Sequence, residues 1–208
     1  MGTDNVEILM NELDALFNID LKTREVKEKP TSLKIVRIGT SGSIQEDMRL
    51  GTHVMSEYGI GMDPMMHFYE FEMGTFEKEI AKSLQKAIGL PYSPYVVKGS
   101  EELIELFKDL MTPGNTLTCH GFYGPQGRTL RVPIKYPDLV DKLTYFHHND
   151  FWISNLEMET AGYYGLAKVL GHEMISLNAI IANRVRNRFS KDPNKVIDSL
   201  IKKVLDRM

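Results

Sequence analysis

Residues 174–182, Met-Ile-Ser-Leu-Asn-Ala-Ile-Ile-Ala, form one apolar run of strand length. A strand without polar alternation has to be covered on both faces, as central strands of layered α/β proteins are. Covering both faces of a sheet takes helices on each side, so this run points to an α/β sandwich. It is also far too short to span a bilayer.

The rest of the chain supplies the other layers. A helical period runs through Val6, Leu9, Met10, Leu13, Leu16 and Phe17, with Asp4 or Asn5 as its N-cap. Residues 33–38 read as a buried strand, followed at 39–43 by a Gly-rich turn. A short strand is expected over 52–55, and the Gly-, Met- and Pro-containing stretch 57–74 reads as an irregular surface segment. Helices are expected over 76–88, from a Ser100 cap to near Leu110, and over 137–147. Strands are expected over 115–121 and 153–156, separated by the long loop 122–136 and the third of those helices. A helix through Ala161 and Leu166 stops at Gly171. The last helix follows Pro193 with a stripe of Val196, Ile197, Leu200, Ile201, Val204 and Leu205. No repeat, low-complexity tract or linker interrupts this alternation, so residues 1–208 read as one domain.

Composition removes several classes of function. Twenty-five basic against 28 acidic side chains give a net charge of −3, with no electrostatic reason to bind nucleic acid. The one cysteine, Cys119, makes neither an internal disulfide nor a cysteine zinc cage, which fits a cytoplasmic protein. It reads as a small strand residue rather than a nucleophile. The start of the chain has no basic segment of the kind that opens a signal peptide.

Four segments carry side chains suited to chemistry. In Arg37-Ile38-Gly39-Thr40-Ser41-Gly42 a strand delivers a guanidinium and then two hydroxyls on glycine-rich backbone, a combination that suits an anion or an ordinary strand end. In Asn155-Leu156-Glu157-Met158-Glu159-Thr160 one carboxylate could accept two hydrogen bonds from a vicinal diol, or simply favour a helix N-terminus. At a helix start Glu157 and Glu159 would diverge by about 200°, so an acid–base pair is not expected. The loop Phe122-Tyr123-Gly124-Pro125-Gln126-Gly127-Arg128 groups an aromatic ring, an amide and a guanidinium that could read a planar heterocycle, or form a solvated surface loop. Asn183-Arg184 follows the central strand, at the strand end where open α/β sheets place their sites. Arg186 and Arg188 read as solvated charges, His172 as part of a helix C-terminus, and His147-His148 with Asp150 as no metal site.

These four segments, in this order, resemble the nucleoside phosphorylases of the uridine phosphorylase group. Residues 2–13 are similar to that family's glycine loop entering its helix, which closes on Glu12-Leu13. The resemblance implies a three-layer α/β/α sandwich with a twisted mixed sheet. It implies phosphorolysis of uridine to uracil and ribose 1-phosphate, with inorganic phosphate as co-substrate and neither metal nor other cofactor. Carried over by position, Arg37 and Thr40 would bind phosphate, with Thr40 also near the ribose. Gln126 and Arg128 would read uracil beside Phe122, with Arg184 near the base pocket, and Ser41 and Gly42 would also contact the substrate. Glu159 would hold the ribose diol, flanked by Met158 and Glu157. Arg37, Gln126, Arg128 and Glu159 would carry the catalysis. Purine-acting members place an Asp near Asn183-Arg184, so a pyrimidine nucleoside is expected. Members are usually homo-oligomers, dimers or hexamers of dimers, with neither nucleic-acid nor membrane partners.

Family members begin earlier than this chain, with a block of strands holding a further phosphate turn and residues donated to a neighbouring subunit. The expectation is therefore a fold missing its N-terminal strands. Two alternatives accompany the main reading: a fragment that binds nucleoside or only assembles, and a nucleosidase or purine nucleoside phosphorylase of the same fold.

Overall fold

The computed structural model describes residues 2–208. Helix α1 (Thr3–Asn18) leads into a ribbon of β1 (Ile19–Asp20) and β2 (Glu25–Val26), then into the long strand β3 (Lys34–Ser43). Strand β4 (His53–Gly61), helix α2 (Thr75–Ile88), strand β5 (Tyr95–Lys98), helix α3 (Glu101–Phe107) and strand β6 (Thr112–Thr118) follow. Beyond a loop with a 3-10 turn at Gly124–Gln126 come α4 (Leu139–Thr144), a ribbon of β7 (His147–His148) and β8 (Phe151–Trp152), β9 (Asn155–Glu157) and α5 (Thr160–Leu170). The chain closes with β10 (Glu173–Asn183), β11 (Arg188–Phe189) and α6 (Pro193–Arg207).

The main sheet is mixed, in the order β11-β10-β3-β9-β6-β4-β5. The apolar run at 174–182 is its central strand: β10 lies parallel to β3 along ten paired residues. It also pairs antiparallel with β4, through Leu177 with Met55, Asn178 with Val54 and Ala179 with His53. The right-handed strand twist thus carries the sheet round until β10, β3, β9, β6 and β4 meet in a ring.

Helices cover this sheet in two apolar clusters. One packs Val6 and Met10 of α1, Phe107 of α3, Tyr164 and Leu166 of α5, and Leu200 and Val204 of α6 against Met55, Val97, Ile175 and Leu177. The other packs Ile80, Leu84 and Ile88 of α2, and Leu139 and Leu143 of α4, against Ile60, Val96, Leu117 and Leu156. Val96 and Val97 are neighbours on β5 and belong to different clusters, so the clusters lie on opposite faces. This is the expected layered α/β fold with a twisted mixed sheet.

Two local expectations fail because a glycine is used for close approach rather than for a turn. Residues 39–43 are not a turn; β3 runs straight through them to Ser43. Gly39 is there because a Cβ on it would lie 2.2 Å from Nη1 of Arg37. Residues 57–61 are not irregular; they complete β4, where a Cβ on Gly59 would lie 2.8 Å from the Ala161 backbone of α5. Helix α1 starts at Thr3 behind Gly2, with no side-chain cap, so Asp4 sits in its first turn and favours the helix dipole there.

Candidate functional site

Arg37 points off β3 and folds back along its own strand over Gly39. Its Nη1 donates to Ser176 Oγ (3.1 Å) and Asn178 Oδ1 (3.0 Å) on the adjacent β10. Its Nη2 lies 2.6 Å from Glu159 Oε2 and 3.1 Å from Glu157 Oε2. The two carboxylates therefore converge on one guanidinium instead of diverging as expected. The reason is local backbone: Glu157 ends strand β9, and Glu159 is the N-cap of α5 at φ −139°, so neither has yet entered the helix.

Glu157 is buried and fully bonded. It accepts from Thr118 Oγ1 (2.7 Å) and from the backbone N–H groups of Glu159 (2.9 Å) and Thr160 (2.9 Å). Burial pushes its carboxyl above the ordinary value, while Arg37 and then Thr118 pull the other way. It thus serves the helix N-terminus, one of the two sequence readings of this segment, and holds Arg37 at the same time.

The loop after β6 supplies the opposite wall. Gln126 is buried in the 3-10 turn, which closes on Gly127 at φ +69°. The Arg128 guanidinium stacks 3.9 Å above the Phe122 ring, and its Nη1 donates to Phe122 O (2.6 Å) and to Gln126 Oε1. Arg184, just past β10, donates from Nη2 to Gln126 O (2.9 Å), while its Nη1 is buried without a partner. Burial first, and the Arg184 charge second, lower the Arg128 pKa. Cys119, behind this wall, is fully buried and its thiol is pushed up to about 12 by desolvation.

Between these walls lies a cavity of about 300 Å³. Thr40, Ser41 and Gly42 of β3 line it, with Glu157, Met158 and Glu159 on one side and Phe122, Gln126 and Arg128 on the other. Arg37 and Arg184 stand directly behind this lining, each bonded to a lining residue. Sequence reasoning missed Leu156, Ile181, Ala182 and Phe189, which also line it. Phe189 arrives because Asn187 takes the left-handed conformation (φ +49°) and turns β11 back against β10 at Ala182. An Asn just beyond a buried strand was the available signal for that turn. Asn183 faces away from the cavity: its amide donates to Gln45 O (2.9 Å) and Met48 O (3.0 Å) and accepts from Arg186 N (2.9 Å).

His172 follows the α5 C-terminus as expected, with Nδ1 accepting from Leu33 N and Nε2 3.3 Å from Asp14 Oδ1, well away from this pocket's lining. Among the described residues no three His, Cys, Asp or Glu side chains are grouped to hold a metal ion, and no helix is long and apolar enough to cross a membrane.

Comparison with known proteins follows the same lines. The family model described as "Phosphorylase superfamily" matches residues 2–204. A uridine phosphorylase of Thermococcus kodakarensis is 25% identical over 163 residues, which make up 77% of this chain and 52% of that enzyme. A DeoD-type purine nucleoside phosphorylase of Buchnera aphidicola subsp. Acyrthosiphon pisum is 26% identical over 188 residues, 89% of this chain and 68% of the relative. A crystal structure of a Trypanosoma brucei nucleoside phosphorylase, described as showing uridine phosphorylase activity, superposes with a TM-score of 0.88 at 24% identity, covering 100% of this chain and 77% of that one. At that identity the likeness speaks for the fold. The match thus spans about half the length of the Thermococcus relative.

Proposed function

The chain belongs to the phosphorylase superfamily, and from that membership we infer that its pocket cleaves the N-glycosidic bond of uridine or a close pyrimidine nucleoside with phosphate. One observation carries this reading. A single cavity of about 300 Å³ has the Glu157 and Glu159 carboxylates, backed by Arg37, at one wall and an amide–guanidinium–aromatic cluster at the other.

The chemistry assigns each wall a part. Phosphate, held by Arg37 and Thr40, attacks the anomeric carbon as the bond to the base nitrogen breaks, and its oxygen becomes the new ester of ribose 1-phosphate. Positive charge builds on the sugar, where the phosphate and the Glu159 carboxylate stabilise it. Glu159 also accepts from the ribose hydroxyls. The bonding electrons leave with the base, whose charge spreads over its ring oxygens and nitrogen. Arg128 and Gln126 supply donors for that charge, and a proton from solvent completes uracil. Arg184 fixes the turn that aims Gln126.

Pyrimidine is favoured over purine because a purine leaves most readily when an acid protonates its imidazole ring. Asn183 has no such proton to give and is turned onto backbone carbonyls, while both pocket carboxylates are tied to Arg37. The test is product analysis of the purified chain with uridine and phosphate. Phosphate-dependent release of uracil and ribose 1-phosphate in equal amounts is expected. Free ribose formed without phosphate would make it a nucleosidase, and faster turnover of inosine would make it a purine enzyme. Nucleoside binding without any turnover would make it a binding fragment. We further propose that the active species is a homo-oligomer; light scattering of the purified chain giving a monomer mass under assay conditions would overturn this.

A further inference from the structure

Inside the strand ring runs a chain of polar side chains that starts at Arg37, behind the pocket lining, and reaches the cavity at Ser41. Arg37 Nη1 meets Asn178 Oδ1 (3.0 Å), and Asn178 Nδ2 meets Ser56 Oγ (3.0 Å). Ser56 Oγ meets Thr116 Oγ1 (2.6 Å), Thr116 Oγ1 meets Asn155 Oδ1 (3.1 Å), and Asn155 Nδ2 meets Ser41 Oγ (2.9 Å). The four middle residues are completely buried, while Ser41 lines the cavity.

A guanidinium can only donate, and this gives the whole chain a direction. Asn178 must turn its oxygen to Arg37, so its amide nitrogen donates to Ser56. Ser56 has then accepted, and its proton goes to Thr116. Thr116 in turn has one proton left to give, and Asn155 Oδ1 is the acceptor beside it. Taken alone, Asn155 could face either way, because Ser154 Oγ can place its own proton on Asn115 O (2.9 Å) instead of on Asn155. Thr116 decides the matter: a reversed Asn155 would leave the buried Thr116 proton without an acceptor, a costly arrangement in a dry interior. Asn155 therefore presents its N–H to Ser41, and Ser41 Oγ is held as an acceptor on its inner side. Its own proton is left for the cavity.

We infer that Ser41 is a dedicated hydrogen-bond donor to a carbonyl oxygen of the bound base, and that Asn155 and Asn178 are positioning residues which fix its polarity from Arg37. This rests on the pyrimidine reading above and deepens it, since uracil offers ring carbonyl oxygens to a donor. It also gives the anion-side guanidinium a second task across the pocket floor.

The experiment measures binding of uracil, 2-thiouracil and 4-thiouracil to the purified protein by titration calorimetry. Sulfur is the weaker acceptor, so the thio substitution at the carbonyl facing Ser41 should weaken binding to the wild-type chain by about 10-fold, the scale of one buried hydrogen bond. In Ser41→Ala that penalty should vanish. In Asn155→Ala and Asn178→Ala it should shrink several-fold, because the freed hydroxyl turns to other partners. Asn18→Ala removes another buried amide, bonded to Asp14 and Thr31 O and outside the pocket lining, and should keep the full penalty. A thio penalty that is the same in Ser41→Ala or in Asn155→Ala as in the wild type overturns the inference. If the wild-type chain binds no uracil at all, the pyrimidine reading fails first, and the inference with it. Because the readout is a ratio between ligands within each variant, a general loss of stability does not imitate the expected result.

Discussion

Arg37 sets one guanidinium between two carboxylates, and its removal takes that cation from both. All three side chains are at most 13% exposed, so Arg37→Ala leaves buried charge uncompensated and should cost about 3–5 kcal/mol in urea unfolding at neutral pH. The sign of the pH dependence follows from Glu157. Its carboxyl is already raised by burial, so the folded state holds that proton more tightly than the unfolded chain does, and stability contributed this way is lost as pH rises. Without Arg37 the effect grows, so the deficit of the variant should shrink as pH falls toward the carboxylate range. On the proposed reading Arg128 acts on the chemistry instead. It stacks on an exposed ring and supports no buried charge, so Arg128→Ala should fold normally yet lower kcat on uridine by about 10²-fold, as for loss of an oxyanion donor. Cys119 should do neither. With its thiol raised to about 12 and no exposed surface, it should resist iodoacetamide at pH 8 in the folded protein and react fully once unfolded. The gathering of the guanidinium, amide and carboxylate residues round one cavity was legible in the sequence, because they lie at strand ends or in the loop after a strand, where open α/β sheets place their pockets. The convergence of Glu157 and Glu159 was not, because it depends on where β9 stops and α5 starts, a boundary of two residues.

At the scale of elements, the long periodic helices and the apolar strand were readable from the sequence, and the glycine-rich strands were not. Helix α2 and helix α6 sit where their stripes place them, and Gly171 ends α5 in the left-handed conformation at φ +77°. Propensity marks Gly39, Gly42, Gly59 and Gly61 as turn or loop residues, but tertiary contact overrides it. At Gly59 the helix α5 backbone approaches β4 so closely that a methyl group has no room, and the obstructing atom is backbone rather than a flexible side chain. Gly59→Ala should therefore push the N-terminal turn of α5 off the sheet and cost about 1–3 kcal/mol. Glu159 caps that same turn, so the displacement should also reduce nucleoside affinity. Circular dichroism melts paired with uridine titration would show both losses together. Unchanged affinity in a destabilised Gly59→Ala chain would mean that the turn and the pocket are not mechanically joined.

For the molecule as a whole, the layered class followed from one buried strand and its flanking helices, but ring closure did not. Pairing of β10 with β4 joins residues more than a hundred positions apart, and no local pattern reports on it. That closure matters because it brings the walls together. Thr40 to Gly42 come from β3, Glu157 from β9 and the residues after it, Gln126 and Arg128 from the loop after β6, and Ala182 and Phe189 from β10 and β11. A ligand filling the cavity should therefore tie several elements into one cooperative unit, and stabilisation by binding should show as a shift of the whole melt. At ligand concentrations of 100 times Kd, linkage gives about 2.7 kcal/mol. For a chain of 208 residues each kcal/mol moves Tm by about 2–4 °C. Uracil or phosphate alone at such concentrations should thus raise Tm by about 5–10 °C, and the two together by about twice that, in one sharp transition. Because the two ligands address different walls, phosphate alone should lose its effect in Thr40→Ala, whereas uracil alone should lose its effect in Arg128→Ala. A melt that broadens or splits on ligand addition would show that the walls respond separately, and the pocket could not then act as the single site that phosphorolysis requires.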